Sequence, residues 1–371
     1  MIKFLDLRKQ YESIKSEIDD AIRSVIHESA FIGGKYVNKF EEHFASYQQV
    51  KHCVGVANGT DALEIAIESL SLPEGGEIIV PANTFMATSE AVTRSGYRVV
   101  FCDCDPTTYT IDLDDAARRI TPRTCAIIPV HLYGHPCDMD AILDFAKKHN
   151  LKVIEDCAQA HGAEYKGQRV GGIGDVGTFS FYPGKNIGAY GDGGSIVTNS
   201  DILAKRCRMI ANHGRTDKYL HECEGRNSRL DGLQAAILNV KLKYADLWNL
   251  HRRQVAEFYQ QHLKNIGEMK QPSQASWAKH AWHLYVIRTE KRDLLQSYLQ
   301  ENGVQTGIHY PIALPKQPAY YYLGQRDEPM FANTADQMLI SLPIGSHLEA
   351  TDLNTIVEVL LNFFKSGTSH A

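Results

Sequence analysis

The chain has 371 residues, 43% of them hydrophobic and 22% charged, with a formal charge of −5 at pH 7. This length exceeds what a single core usually holds, so one large domain and a smaller one are expected, with the composition of an ordinary globular protein. The negative balance and the lack of any basic run argue against nucleic acid as a partner, and no apolar stretch is long enough to span a bilayer.

In chain order, Met1-Ile2-Lys3-Phe4-Leu5-Asp6 meets charge too early for a secretory leader. Ile14, Ile18, Ile22 and Val25 recur at helical spacing and predict an amphipathic helix over 11–28. From 53 to 200, apolar strands at 53–57, 77–80, 98–102, 125–130, 152–155, 176–181 and 194–198 alternate with helical patterns at 60–71, 84–95, 112–120, 138–149 and 201–211. That alternation predicts an α/β fold, with a mostly parallel sheet covered by helices and ligand sites at the strands' carboxyl ends.

Beyond 230 the pattern changes. Residues 230–263 read as one or two long helices broken near Trp248-Asn249, followed by a strand at 283–288, a helix at 291–301 and a closing helix at 351–364. A smaller C-terminal α+β domain follows, so the division is placed at 1–250 and 251–371; the polar stretch 267–279, with Pro272, reads as a boundary loop. Eight scattered cysteines form no C-x-x-C pair, and several sit in strand-like runs. Buried, reduced thiols are expected, which favours the cytoplasm.

Lys185 stands in Ser180-Phe181-Tyr182-Pro183-Gly184-Lys185-Asn186, and upstream the apolar run Val153-Ile154 ends in Glu155-Asp156. A lysine on a glycine-flanked loop and an acid at the end of a buried strand suit pyridoxal 5′-phosphate (PLP). The lysine condenses with the aldehyde, and the acid keeps the pyridine nitrogen protonated. Asn58-Gly59-Thr60-Asp61 opens a helix after a strand, where free N–H groups and the helix dipole suit a phosphate; capping by Asn58 or Thr60 is the plainer reading. Ser180 can donate to the same phosphate, and Gln159 can reach the cofactor's phenolic oxygen. Phe85 can stack on the ring, against the alternative that it packs in the core.

Two other patterns are weaker. Gly172-Ile173-Gly174-Asp175-Val176-Gly177 matches G-x-G-x-x-G, yet it precedes a strand instead of opening a helix, so it lacks the dinucleotide context. His131 with His135, and His280 with His283, lack the accompanying ligands of a zinc site, so no metal is expected.

Taken together, the residues resemble the DegT/StrS-type sugar aminotransferases, a fold-type-I PLP family acting on nucleotide-linked keto sugars. The resemblance runs along nearly the whole chain: Phe31-Ile32-Gly33-Gly34, Asn58 to Leu63, Pro81 to Phe85, His131-Leu132-Tyr133-Gly134 and Glu155 to Gly162. It continues through Ser180 to Lys185, Asn212-His213-Gly214, Asn227-Ser228-Arg229, His309-Tyr310-Pro311 and Ser341-Leu342-Pro343. It implies that Lys185 carries the cofactor, Asp156 pairs with the pyridine nitrogen, and Gly59, Thr60 and Ser180 hold the phosphate. Phe85 then stacks on the ring, and Gln159 lies near the phenolic oxygen. Asn227 matches a position reaching the neighbouring subunit's phosphate, implying a homodimer with shared sites, and His309 and Tyr310 match a segment lining the sugar pocket.

Tyr182 departs from the histidine many members carry three residues before the lysine. It resembles the subgroup aminating C3, not C4, of a 6-deoxyhexose, and makes Tyr182 a substrate-facing candidate. Pro315 departs from a frequent histidine, while the retained lysine separates the chain from the family's dehydratases. The implied activity is transfer of an amino group from L-glutamate to C3 of a dTDP-3-keto-6-deoxyhexose. A C4 aminotransferase, a non-catalytic PLP- or sugar-nucleotide-binding regulator, and an NAD-dependent oxidoreductase are the alternatives.

Overall fold

The computed structural model describes residues 1–366. Its centre is a seven-stranded sheet in the order His52–Val56, Gly194–Thr198, Val176–Ser180, Lys152–Asp156, Thr124–Ile127, Glu77–Pro81, Arg98–Cys102. Gly194–Thr198 is antiparallel to both neighbours, and the remaining pairs are parallel. Side chains alternate across the sheet. Ile79, Ile127, Val153 and Val197 join one core, while Ile78, Val80, Ile154 and Ile196 join the core on the opposite face. Burial on both faces explains why these strands read as continuous apolar runs.

Four crossover helices, Gly59–Ser69, Met86–Arg94, Leu113–Arg119 and Met139–His149, connect strands of this sheet, and Asp201–Ala211 follows its last strand in the chain. Asn58, Asp112, Asp138 and Ser200 each precede one of them and accept a backbone N–H from its first turn, so the starts are written in the sequence. The predicted strand at 125–130 is instead Thr124–Ile127, followed only by an isolated bridge of Val130 to Asp156. Pro129 lacks the N–H needed to continue the ladder.

Three helical expectations change. The N-terminal helix is two pieces, Leu7–Ser13 and Lys15–His27, interrupted at Ile14, with Asp6 capping the first. The helix Gly34–Gln48 was not foreseen, although Val37, Phe40, Phe44, Ala45 and Gln48 recur at helical spacing and are buried. The long pair is Gly232–Leu242 and Ala245–His262, so Trp248 and Asn249 lie inside the second helix and do not break it. Asn249 is buried and hydrogen-bonds to His161 and Asn186, so its polarity serves packing between elements.

The C-terminal part contains the antiparallel strands Tyr285–Arg288 and Leu339–Leu342, with the helices Arg292–Glu301 and Ala350–Ser366. Its core includes Tyr259, Tyr285, Leu295, Ile340 and Leu360. Ala245–His262 serves both parts. Ala245 joins the core of the large sheet, and Val255, Ala256 and Tyr259 join the C-terminal core. Seven cysteines are buried and Cys223 is exposed, all unpaired. Among the described residues, no helix is long and apolar enough to cross a membrane.

Candidate active site

The strand Lys152–Asp156 delivers two acids with opposite fates. Glu155 is fully buried, and its carboxylate accepts the N–H groups of Gly171, Ile173 and Gly174, each at 2.7 Å. Burial pushes its carboxyl up, but His131 and these N–H groups outweigh that and hold it below the ordinary value. The glycine-rich G-x-G-x-x-G loop therefore cradles the chain's own anion, not a dinucleotide. Glycine is required where a Cβ on Gly177 would lie 2.2 Å from the Gly171 carbonyl oxygen.

His131, Glu155 and Cys157 have ligand atoms within 4.8 Å of one another. The N–H of Cys137 donates to His131 Nδ1 at 3.0 Å, so Nε2 carries the proton and donates to Glu155 at 3.0 Å. With the His131 lone pair and both Glu155 oxygens engaged, this cluster is a hydrogen-bond network and not an ion cage.

Asp156 ends the strand with its carboxylate buried. Oδ2 accepts the Thr88 hydroxyl at 2.8 Å, and Oδ1 accepts the N–H of Ala158 at 3.1 Å. The neighbouring strand Val176–Ser180 runs parallel, with Asp156 opposite Thr178, and the chain then turns into the lysine loop. Burial lowers the Lys185 amine to about 8, against the opposing pull of the Asp156 charge.

The loop is anchored by Asn186. Its amide donates to Asn249 and to the Ala281 carbonyl, both at 3.0 Å, which leaves its oxygen to accept from His283 Nδ1 at 2.9 Å. Lys241, buried on Gly232–Leu242, donates to the Gly188 carbonyl at 2.6 Å and lies over the Tyr190 ring. Burial depresses Lys241 to about 7.

Three histidines near Lys185 are held neutral. Burial and then the lysine charge lower His161 to about 3 and His309 to about 4, and drive His283 well below its ordinary value. Asn186, His161, His283, Thr88 and Lys241 were not singled out as site residues from sequence. The signals available were the position of Asn186 beside the lysine, and His161 within Glu155-Asp156-Cys157-Ala158-Gln159-Ala160-His161-Gly162.

Above the sheet, Asn58 caps Gly59–Ser69 by accepting from Asp61 at 2.8 Å. That confirms the plainer capping reading, and it leaves the N–H groups of Gly59 and Thr60 outside the helix's own bonding. A Cβ on Gly59 would come within 2.7 Å of the Ser180 Cβ, so glycine lets the helix end and Ser180 meet. Phe85 is 55% exposed, which rules out core packing, and its ring lies 5.7 Å from that of Tyr310. Gln159 is fixed from both ends, accepting the Tyr133 N–H at 2.7 Å and donating to the Tyr310 hydroxyl at 2.8 Å.

His309 bonds through Nδ1 to Ser341 at 2.8 Å. Tyr182 is 60% exposed. Asn227 is exposed on the loop before Gly232–Leu242 and bridged to Asn212, and the next residue, Ser228, accepts the Ala57 N–H at 3.1 Å beside the Asn58 cap. Pro315 is buried in the turn Leu314–Lys316, and Lys316 pairs with Asp336 at 2.7 Å.

Residues 12–361 match the model of the DegT/DnrJ/EryC1/StrS aminotransferase family. The chain belongs to that family. It is 46% identical to the dTDP-3-amino-3,6-dideoxy-alpha-D-galactopyranose transaminase of Aneurinibacillus thermoaerophilus, covering 97% of this chain and 99% of the relative. It is 41% identical to the dTDP-3-amino-3,4,6-trideoxy-alpha-D-glucose transaminase of Streptomyces venezuelae, covering 97% and 95%. The crystal structure of S. venezuelae DesV, solved in complex with a ketimine intermediate, superposes with a TM-score of 0.96 at 40% identity, covering 98% of each chain. This aminotransferase thus has the mostly parallel α/β fold of its solved relatives.

Proposed function

We propose that this aminotransferase uses pyridoxal 5′-phosphate to move an amino group from L-glutamate to C3 of a dTDP-3-keto-6-deoxyhexose. The observation that carries the reading is Lys185, an amine lowered to about 8 beside the buried Asp156. The cradle fits the cofactor. Gly59, Thr60 and Ser180 offer donors to a phosphate, Phe85 offers an exposed ring face, and Asp156 offers a carboxylate oriented by Thr88. When bound, PLP supplies an electron sink for the substrate carbon and a carrier for the amino group.

Lys185 takes a proton from the glutamate α-carbon and returns protons in the sugar half, a role that needs a free amine near neutral pH. Asp156 holds the proton on the ring nitrogen. Gln159, oriented by Tyr133, stands beside Tyr310 where a phenolic oxygen needs a donor. His309, Tyr310 and Tyr182 receive the hexose. Two relatives above 40% identity carry C3-amino products in their names, which supports C3, as does Tyr182 beside the lysine.

The active unit is a homodimer in which Asn227, exposed in the single chain, reaches the other subunit's phosphate. The small domain begins near 251, within Ala245–His262. The seven buried reduced cysteines favour the cytoplasm.

The test is turnover of 3-keto and 4-keto dTDP-hexoses with glutamate, and NMR assignment of the product. Nitrogen on C3 is expected. Nitrogen on C4, with no turnover of any 3-keto sugar, would overturn the assignment.

A further inference from the structure

The segment Ile2–Leu5 precedes every motif that points to the site, yet it lies against the site. Ile2 donates its N–H to the Gly303 carbonyl at 2.7 Å and accepts from Gln305 N–H at 3.0 Å, a parallel bridge to Val304. The Phe4 N–H donates to Gln305 Oε1 at 3.3 Å, and the Lys3 carbonyl bonds to His347 Nε2 at 3.0 Å. Asp6 then caps Leu7–Ser13. The strap is thus fixed at both ends.

Its apolar side chains reach two places. The Phe4 ring stacks on His309, with centroids 5.8 Å apart and planes 20° from parallel. Phe4 Cζ also lies 3.2 Å from where a Cβ on Gly307 would stand. Leu5 Cδ2 lies 3.6 Å from the corresponding point on Gly184, the residue before Lys185. The other contacts of the His309 residue are already fixed: Nδ1 bonds to Ser341, Tyr310 stands edge-on at 5.7 Å, and its carbonyl accepts the Tyr133 hydroxyl at 2.5 Å. Phe4 fixes the tilt of the ring.

We propose that Ile2–Leu5 is a fixed wall of the acceptor-sugar subsite. Phe4 is a positioning residue that seats His309 toward the hexose of a nucleotide-linked keto sugar, and Leu5 borders the space beside the lysine loop. The contacts of Phe4 run to His309 and Gly307, so its loss is expected to bear on the sugar half and not on the donor half.

This assignment builds on the aminotransferase reading, and the two half-reactions of the holoenzyme separate them. Phe4→Ala should lower kcat/KM for the keto sugar roughly three- to tenfold, the range expected for one lost aromatic pair. The single-turnover rate with glutamate, followed by cofactor absorbance, should stay within about twofold. Phe4→Tyr, which keeps the stack, should restore the sugar half. Equal losses in both halves, or no loss in either, would overturn the proposal.

A second readout needs no sugar. In histidine-labelled holoenzyme, Phe4→Ala should raise the NMR titration midpoint of His309 toward the ordinary imidazole range as one face gains water. An unchanged midpoint would overturn the seating of His309, even if the sugar acceptor has been misassigned. Failure of the wild-type enzyme to aminate any keto sugar would instead count against the functional reading.

Discussion

The Thr88 hydroxyl donates to Oδ2 of Asp156 at 2.8 Å, with both side chains buried. Thr88 lies on Met86–Arg94, which follows a different strand, so the acid's orientation is set from outside its own strand. Thr88 also bonds to Thr84 at 3.1 Å, which limits its freedom to rotate away.

Thr88→Val keeps the shape and removes this donor. A hydrogen bond to a charged group contributes about 1.5–3 kcal/mol, so cofactor affinity should fall by roughly tenfold or more. Equilibrium dialysis of PLP against the variant checks this. Retention equal to wild type would show that Ala158 N–H alone orients Asp156.

Lys185→Ala should abolish transamination while still binding pyridoxamine phosphate, because Asp156, Thr60 and Ser180 remain. Absorbance and turnover assays read both properties, and normal turnover would remove Lys185 from the mechanism.

The depressed pKa of Lys185 has a pH signature in the cofactor-free protein. The folded chain sheds this proton near pH 8, whereas an exposed lysine holds it to 10.5. Between those values the unfolded chain binds more protons, so this group's contribution to stability rises with pH across that window and is least favourable below 8. Amine labelling followed by peptide mass spectrometry should give Lys185 a midpoint near pH 8. A midpoint near 10.5 would contradict the burial argument.

Mixing Asn227→Ala with Lys185→Ala protein should restore activity, through hybrid dimers that hold one site free of either lesion. Sedimentation and turnover of the mixture test it together. Mixtures no more active than their parents, or a fully active monomer at dilution, would refute shared sites.

Glu155→Gln sets an amide NH2 against N–H groups that now meet a carboxylate. Breaking such a buried charged network costs about 3 kcal/mol, readable as a lower urea midpoint. Glu155 is depressed in the folded state, so its contribution is present above its ordinary value of 4.5 and lost as pH falls below that. The variant should lack this acid-dependent component.

All seven strands of the sheet are legible in sequence because burial on both faces enriches them in apolar residues, even where Gly177 and Thr178 interrupt the run. The caps Asn58, Asp112, Asp138 and Ser200 mark four of its helix starts. Gly34–Gln48 was hidden by its polar residues, although its buried positions follow the helical period. The approach of Lys185 to Asp156, and of Gly59 to Ser180, could be anticipated because loop and strand ends deliver them to one edge. His283 and Phe4 could not, since distant segments place them and no local pattern records those contacts. Asn249 looked like a helix breaker because its partners, His161 and Asn186, lie far along the chain.

The helix Ala245–His262 has a practical consequence for exchanging parts between relatives. A splice at residue 250 would divide one continuous helix, taking Trp248 and Asn249 from one parent and Val255, Ala256 and Tyr259 from another. Each half has been fitted to different neighbours, so chimaeras joined there must match two surfaces with a single rigid rod. Joints placed in the polar stretch 267–279 leave that rod whole and keep both of its faces from the same parent.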